Sequence, residues 1–197
     1  MTFLLGLTGS IGMGKSTTAK LFAEAGCAVW DADAAVHRLY EPGGAAVAPI
    51  GAVFPQAVDE GGVSRDRLRG IIAVDAGALQ KIEAIVHPLV AQDRARFIAQ
   101  SDAEIVVLDM PLLFETGGDA AVNAVVCVTI PAELQRKRVL ERGTMTAEQF
   151  ETIKAKQMPD TEKRQRADYV IVTDTVEHAR AQVQSVLADF KKRMQDA

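Results

Sequence analysis

The sequence predicts an α/β fold with a parallel sheet, and three observations support this prediction. Five short apolar runs have the length and composition of buried strands. Stretches with helical periodicity lie between most of these runs, and alternating strands and helices are typical of doubly wound α/β proteins. A glycine-rich loop directly follows the first run. The five runs are Phe3–Thr8, Ala28–Asp31, Ile105–Asp109, Ala124–Ile130 and Asp168–Val172.

The glycine-rich loop runs from Gly9 to Ser16 and reads G-x-x-x-x-G-K-S, the pattern of a phosphate-binding loop. We expect Gly9 and Gly14 to adopt backbone angles that a Cβ atom would disfavour. The loop amides can then converge on a phosphate group at the positive end of the following helix. Lys15 would reach the β- and γ-phosphates, and the Ser16 hydroxyl would ligate Mg²⁺. The alternative, a glycine-rich turn that binds nothing, fits less well because a strand precedes the loop and a helical pattern follows it.

The second apolar run ends in the acidic segment Asp31-Ala32-Asp33. In a parallel sheet this run should lie beside the first strand or one strand away. A carboxylate there could face the γ-phosphate, orient an acceptor hydroxyl and accept its proton. We predict that Asp33 is this base, because Asp31 is still within the strand spacing and would point to the opposite face. The alternative is that Asp33 caps a helix over residues 34–40, and both roles can coexist.

Residues 34–104 contain no convincing strand. Glu41-Pro42-Gly43-Gly44 and Asp59-Glu60-Gly61-Gly62 indicate turns, and Ala78–Gln100 has the pattern of a long helix that begins or bends near His87-Pro88. An insert of this size usually brings its own function. We therefore predict a helical substrate-binding lobe.

The third apolar run ends at Asp109, which fits the second element of a phosphate site, where an Asp holds Mg²⁺ directly or through water. This signal is weak by itself, because many strands end in Asp. Residues 111–115 follow as the apolar segment Pro-Leu-Leu-Phe-Glu, which we predict to be a loop at the edge of the site.

Residues 131–167 carry more Lys and Arg than Asp and Glu, in a chain with a formal net charge of −4. Most of these side chains are expected to form a solvated helix face. Arg138 and Arg142 differ, because residues four apart share one helix face and could clamp the same phosphate. An apolar stripe that begins at Val176 predicts a final helix that packs on the sheet.

Composition limits the function classes. The chain has 197 residues, 48% of them hydrophobic and 24% charged, which is ordinary for one globular domain. The net charge of −4 argues against a general nucleic-acid binder. No apolar run is long enough for a transmembrane helix, and the first residues lack the basic region of a signal peptide. Cys27 and Cys127 lie in or beside apolar runs and are most simply core residues. These features indicate a cytoplasmic protein. We expect it to be a monomer or weak homo-oligomer, although no feature of the sequence determines the oligomeric state.

Five blocks in a fixed order resemble the dephospho-coenzyme A kinase family. The Asp-Ala-Asp and Pro-Leu-Leu-Phe-Glu segments are far more specific than the phosphate loop, and Gln135-x-x-Arg138-x-x-x-Arg142 also fits the family's lid. The blocks are Gly6 to Ser16; Asp31-Ala32-Asp33 with His37; His87-Pro88; Asp109 to Glu115; and Gln157-Met158-Pro159 with Lys163-Arg164 and Ala167 to Ile171.

The resemblance implies a P-loop kinase fold, a five-stranded parallel sheet flanked by helices. Its nucleotide-binding core would comprise residues 1–33, 105–130 and 168–197, with a helical CoA-binding insert at 34–104 and a lid at 131–167. The implied reaction converts ATP and 3′-dephospho-CoA into ADP and CoA with Mg²⁺, the last step of CoA biosynthesis.

The resemblance also implies roles for individual residues. Asp33 would be the base, and Thr8 would contact the acceptor ribose with it. Leu112, Leu113 and His87 would lie on the substrate side. The ATP phosphates would be held by loop residues and by two arginines of the lid: Gly9, Gly12, Met13, Gly14, Lys15, Ser16, Thr17, Arg138 and Arg142. Many family members follow the last strand with Asp-Asn, a contact on the adenine side, whereas here the sequence is Val172-Thr173-Asp174.

Three other classes share some of these features. Another small-molecule kinase, acting on a nucleoside or nucleotide, would share the loop, base and arginines but not the 111–115 segment or the insert. A GTP-driven switch would need an Asn-Lys-x-Asp block, but the chain's single asparagine, Asn123, is followed by Ala124-Val125. A nucleotide-binding scaffold without chemistry is expected to lack the base and the arginine lid.

Overall fold

The structure of the chain is a computed structural model that describes residues 2–195, with the side chains of residues 194 and 195 excepted. The outer limits of the predicted core, residues 1 and 196–197, lie outside this description. The elements are β1 (Phe3–Thr8), α1 (Lys15–Glu24), β2 (Ala28–Asp31), α2 (Ala32–Tyr40), α3 (Val47–Val53), β3 (Val58–Asp59), β4 (Gly62–Val63), α4 (Arg65–Val74), α5 (Ala78–Gln100), β5 (Ile105–Asp109), β6 (Ala124–Thr129), α6 (Ala132–Glu141), α7 (Ala147–Lys156), α8 (Asp160–Arg166), β7 (Tyr169–Val172) and α9 (Val176–Gln195). Short 3-10 helices span Pro55–Ala57 and Gly118–Ala121.

The main sheet has five strands in the order β2-β5-β1-β6-β7. β1 pairs in parallel with β5 and β6, and β6 pairs in parallel with β7. The predicted α/β fold is therefore confirmed, and β2 lies one strand away from β1. The register opposes Leu7 to Asp109 and Thr8 to Cys127, so the carboxyl ends of three strands meet at one edge of the sheet. In open parallel sheets, ligands bind at this edge.

The chain divides into two compact units, and the first comprises Met1–Trp30 and Ser101–Ala197. Its core contains apolar side chains of the strands packed against α1 and α9. Phe22 of α1 and Ile171 of β7 are fully buried, and Ala179 and Val183 of α9 are each 1% exposed. Apolar burial of this kind is the main stabilising term in folding. The last helix therefore packs against the sheet unit, as its apolar stripe predicts.

The second unit, Asp31–Gln100, has a separate core formed by α2, α3, α4 and α5. One expectation for this region is wrong, because β3 and β4 form an antiparallel hairpin. Strands of two residues are too short to produce a sequence pattern. The turn between them places Glu60 at φ 46° and Gly61 at φ 82°, the left-handed angles that a tight hairpin turn requires. The long helix α5 continues through Pro88.

Neither α5 nor α9, the longest helices of the described part of the chain, nor any other helix there is apolar enough over a sufficient length to span a membrane.

Candidate active site

The phosphate-binding loop connects β1 to α1 at the carboxyl edge of the sheet. Gly14, with φ 85°, immediately precedes Lys15, the first residue of α1. Both the amide and the hydroxyl of Thr18 donate to the Gly14 carbonyl, each at 3.1 Å. Ser16 and Thr17, in the first turn, are exposed. The strand, loop and helix that the motif requires are therefore formed, and the helix presents its amino end to solvent-accessible space.

The glycines of the loop are needed for two different reasons. Gly12 and Gly14 have positive φ angles, as expected of Gly14, but Gly9 does not, so the conformational reason predicted for Gly9 is wrong. A Cβ atom on Gly9 would lie 2.4 Å from Cγ2 of Val128, a distance that real Cβ atoms essentially never show. Gly9 is therefore required because the loop packs directly against β6.

Side chains from distant parts of the chain hold the loop backbone. Gln135 of α6 donates to the Ile11 carbonyl at 2.7 Å, and Gln157 accepts from the Ile11 amide at 3.0 Å. Thr173 donates to the Met13 carbonyl at 2.6 Å. Sequence analysis placed Gln135 and Gln157 in segments that resemble the family, but it predicted none of these three contacts. No local pattern could have predicted them, because each residue lies more than a hundred positions from its partner. Together they hydrogen-bond the loop backbone at Ile11 and Met13 to α6 and to the segments around Gln157 and Thr173.

Met13 has a mainly structural environment. Its side chain is 3% exposed, and its sulfur accepts a hydrogen bond from the Ile130 amide at 3.2 Å. Its own amide donates to the Ser10 carbonyl at 3.2 Å. The predicted phosphate contact of Met13 stays a prediction, and in this structure the residue anchors the loop to the end of β6.

Lys15 forms an ion pair with Asp109, the last residue of β5. The pair follows from the sheet order, because β5 is the direct neighbour of β1 and their carboxyl ends are in register. Asp109 is 1% exposed, so its charge depends on such contacts. The two residues predicted to act on the phosphates and on Mg²⁺ are thus brought together.

The oxygen donors near the loop suit Mg²⁺, which prefers hard oxygen ligands and usually takes one or two carboxylates together with substrate phosphates and water. Ser16 supplies an exposed hydroxyl and Asp109 a carboxylate. Residues 2–195 contain no group of three or more His, Cys, Asp or Glu side chains that could hold a metal by themselves. A metal bound here would therefore take part of its coordination from a nucleotide.

The two aspartates at the end of β2 and the start of α2 have different environments. Asp31 is the N-cap of α2, and its carboxylate accepts from the Ala34 amide at 3.0 Å. The predicted alternative in which Asp33 caps a helix over residues 34–40 is therefore wrong, because the helix begins at Ala32. Asp33 is exposed in the first turn of α2. Its carboxylate is left for a role other than capping.

The segment after β5 is tied to α8 by a buried lysine. Lys163 is 0% exposed, donates to the Pro111 carbonyl at 3.1 Å and pairs with Glu115 at 2.9 Å. The Met158 amide also donates to Glu115, at 2.9 Å. Burial alone would raise the pKa of Glu115, but the Lys163 hydrogen bond and charge and the Met158 amide hold that pKa below its usual value. The buried Lys163 side chain therefore ties the end of the 111–115 segment and the Pro111 carbonyl to α8.

Three predicted substrate-side residues of the first unit differ in accessibility. Thr8 is fully buried, and its hydroxyl donates to the Pro111 carbonyl at 3.2 Å. Leu113 is also fully buried, in a cluster with Phe114 and Val125. Leu112 is 43% exposed, so of the two leucines it is the one whose side chain a ligand could touch in this conformation. In the second unit, His87 is exposed on α5.

The two arginines predicted to clamp one phosphate have different surroundings. Arg138 donates to the carbonyls of Thr173 and Asp174 at 2.8 and 2.6 Å, so its guanidinium joins α6 to the segment between β7 and α9. Arg142 is exposed at the C-cap of α6. The charge of Arg142 is accordingly more accessible to a ligand than that of Arg138.

The loop geometry at the end of β1, on a five-stranded parallel sheet, defines the class of protein as a P-loop kinase. Within that class, the family model described as dephospho-CoA kinase matches residues 3–178. The chain belongs to the dephospho-CoA kinase family, and the resemblance drawn from its sequence blocks is confirmed.

Relatives with this name match almost end to end. A dephospho-CoA kinase of Ruegeria pomeroyi is 65% identical and covers 97% of this chain and 97% of its own length. One of Cereibacter sphaeroides is 58% identical, with 96% of each chain covered. A crystal structure of a Thermus thermophilus protein superposes with a TM-score of 0.85 at 32% identity, over 95% of this chain and 97% of that one.

Proposed function

We propose that the chain transfers the γ-phosphoryl group of ATP to the ribose 3′-hydroxyl of 3′-dephospho-CoA, giving CoA and ADP, the last step of CoA biosynthesis. The observation that carries the proposal is the family match over residues 3–178 in a chain whose phosphate-binding loop is fully formed. The same loop would serve another small-molecule kinase, so the acceptor is the point to be tested.

On the nucleotide side, the loop and the first turn of α1 would hold the phosphates. Lys15 would exchange its contact with Asp109 for phosphate oxygens, and its charge would stabilise the transferring group. Asp109 and Ser16 would then hold Mg²⁺. That ion, when bound, neutralises charge on the phosphates. The residues proposed for this side are Gly9, Gly12, Met13, Gly14, Lys15, Ser16 and Thr17.

On the acceptor side, Asp33 would hold the ribose 3′-hydroxyl and accept its proton. Its exposure, and the fact that Asp31 performs the capping of α2, support this assignment. Thr8, Leu112, Leu113 and His87 remain proposed contacts of the substrate. The compact second unit, Asp31–Gln100, supports the proposal that residues 34–104 form the CoA-binding insert.

We further propose that residues 131–167 form a lid, with Arg138 and Arg142 acting on the nucleotide. We place the protein in the cytoplasm as a monomer or weak homo-oligomer that acts on a small molecule and not on nucleic acid or a membrane. The formal net charge of −4 supports the part of this proposal that concerns nucleic acid.

The acceptor is tested by measuring ADP release from ATP with dephospho-CoA and with a panel of nucleosides and nucleotides. We expect dephospho-CoA to be the preferred acceptor by kcat/KM and the reaction to stop when EDTA removes Mg²⁺. A nucleoside or nucleotide that exceeds dephospho-CoA would instead support the alternative kinase.

The lid arginines are expected to respond differently to substitution. Arg142→Ala should lower kcat/KM by about tenfold or more, because it removes an exposed charge from the phosphates, with little change in Tm. Arg138→Ala should lower kcat/KM less and also lower Tm, because it leaves the Thr173 and Asp174 carbonyls without their charged donor. Steady-state kinetics and thermal melts of both variants check this. Normal kinetics with a large Tm loss for Arg142→Ala would make that residue structural.

A further inference from the structure

Three arginines lie in the first two turns of α4, and their charges are used differently. Arg67 pairs with Asp59 at 2.8 Å, and Arg69 pairs with Asp66 at 2.7 Å. Arg65 makes no ion pair with a carboxylate among residues 2–195. An arginine at the start of a helix also faces the positive end of the helix dipole, which is unfavourable for a cation. The charge of Arg65 is therefore not neutralised by a carboxylate of the described residues.

Two contacts place the Arg65 guanidinium against α2, the helix that carries the proposed base. Its Nη2 lies 3.5 Å from the carbonyl oxygen of Asp33, and its Cζ lies 5.8 Å from the centroid of the Tyr40 ring. The latter distance is within the range of a cation–π contact. Burial raises the pKa of the Tyr40 phenol, and the charge of Arg65 offsets part of that rise. Both contacts of the Arg65 side chain are therefore with α2, the helix that carries Asp33.

Arg65 lines a cleft of about 430 Å³, and all residues that line this cleft belong to the second unit. His37, Tyr40 and Ser64 also line this cleft. His37 is four residues after Asp33 on α2, so the two residues share one helix face.

Three acidic residues also line the cleft, and none of them is paired with Arg65. Glu41 lies 3.4 Å from His37, and Asp59 is paired with Arg67. Glu60, which also lines the cleft, is exposed at the tip of the β3–β4 turn. Two of the three carboxylates therefore have partners of their own, and the guanidinium remains the cation available to a ligand.

We propose that Arg65 binds the 5′-diphosphate of the acceptor substrate. The inference rests on the proposed function, because the diphosphate and the 3′-hydroxyl of dephospho-CoA belong to the same ribose. A ribose whose 3′-hydroxyl is held by Asp33 carries its diphosphate only one sugar ring away. Arg65, within contact distance of the Asp33 backbone, is placed to reach it. A guanidinium suits this ligand because it can donate two parallel hydrogen bonds to phosphate oxygens.

The test compares Arg65→Met with Arg69→Met, a matched exposed arginine on the same helix. Arg65→Met should raise the KM for dephospho-CoA by about 10- to 100-fold, the effect of losing a charge-assisted hydrogen bond, without changing the KM for ATP. Adenosine, which lacks the diphosphate, should inhibit wild type and variant with the same inhibition constant when it competes with dephospho-CoA. Arg65→Lys should be intermediate, because it keeps the charge and loses the paired donors. Arg69→Met should match wild type in all three measurements.

Two results would overturn the assignment. An unchanged KM for dephospho-CoA in Arg65→Met would show that the residue does not touch the substrate. An inhibition constant for adenosine that rises as much as the KM for dephospho-CoA would show that Arg65 supports binding of the nucleoside and not of the diphosphate. Failure of the proposed function is separate, because it shows in the wild-type protein as an absence of turnover of dephospho-CoA, and it would remove this assignment with it.

Discussion

Replacing Lys15 by Ala should lower turnover by about a hundredfold or more. The substitution removes positive charge from the transferring phosphoryl group, and losing a charged transition-state contact of this kind costs about 3 kcal/mol or more, on the order of a hundredfold in rate. The fold should be retained with some loss of Tm, because Asp109 is 1% exposed and loses the ion pair with Lys15. The measurements are kcat from ADP release and a thermal melt of the same preparation.

The matched control for this variant is Lys20→Ala, which removes a lysine from an exposed position of the same helix, α1. This control should leave both turnover and Tm close to wild type, because an isolated exposed charge contributes little to stability. Near-normal turnover of Lys15→Ala would show that the loop is not the catalytic phosphate site, whatever the family match.

Asp33→Asn should lower phosphoryl transfer by about a hundredfold or more while ATP affinity and the fold survive. The change keeps the shape of the side chain and removes the negative charge and the proton acceptor, so any positioning and base roles are lost together. The effect on stability should be small, since Asp33 is exposed and contributes only its interaction with the amino end of α2. Single-turnover transfer and the Kd for ATP are the measurements.

Asp31 provides the comparison, because it lies two residues earlier and has a known structural contact. Asp31→Asn should be close to wild type in activity and stability, because Asn caps helices about as well as Asp. Asp31→Ala should cost about 1 kcal/mol of stability, because the Ala34 amide loses its acceptor. An inactive Asp31→Asn beside an active Asp33→Asn would reassign the base to Asp31.

Much of the fold could be predicted because its signals are local. β1, β2 and β5 begin and end at the predicted residues, and the other two strands of the main sheet differ by one residue at one end. Buried parallel strands are short continuous apolar runs, so neighbouring residues are enough to locate them. The hairpin of β3 and β4 was not predicted, because strands of two residues are too short to contain such an apolar run.

Within the site, the sequence determined the phosphate-binding loop, the acidic strand ends and the family, because these depend on consecutive residues and their order. Only the tertiary structure decided which groups are already engaged. It placed Gln135, Gln157 and Thr173 on the loop backbone, Arg138 on the carbonyls of Thr173 and Asp174, and Val128 against Gly9. These contacts join residues far apart in the chain, and whether a polar group is free or paired depends on the packing that brings its partner within hydrogen-bonding distance.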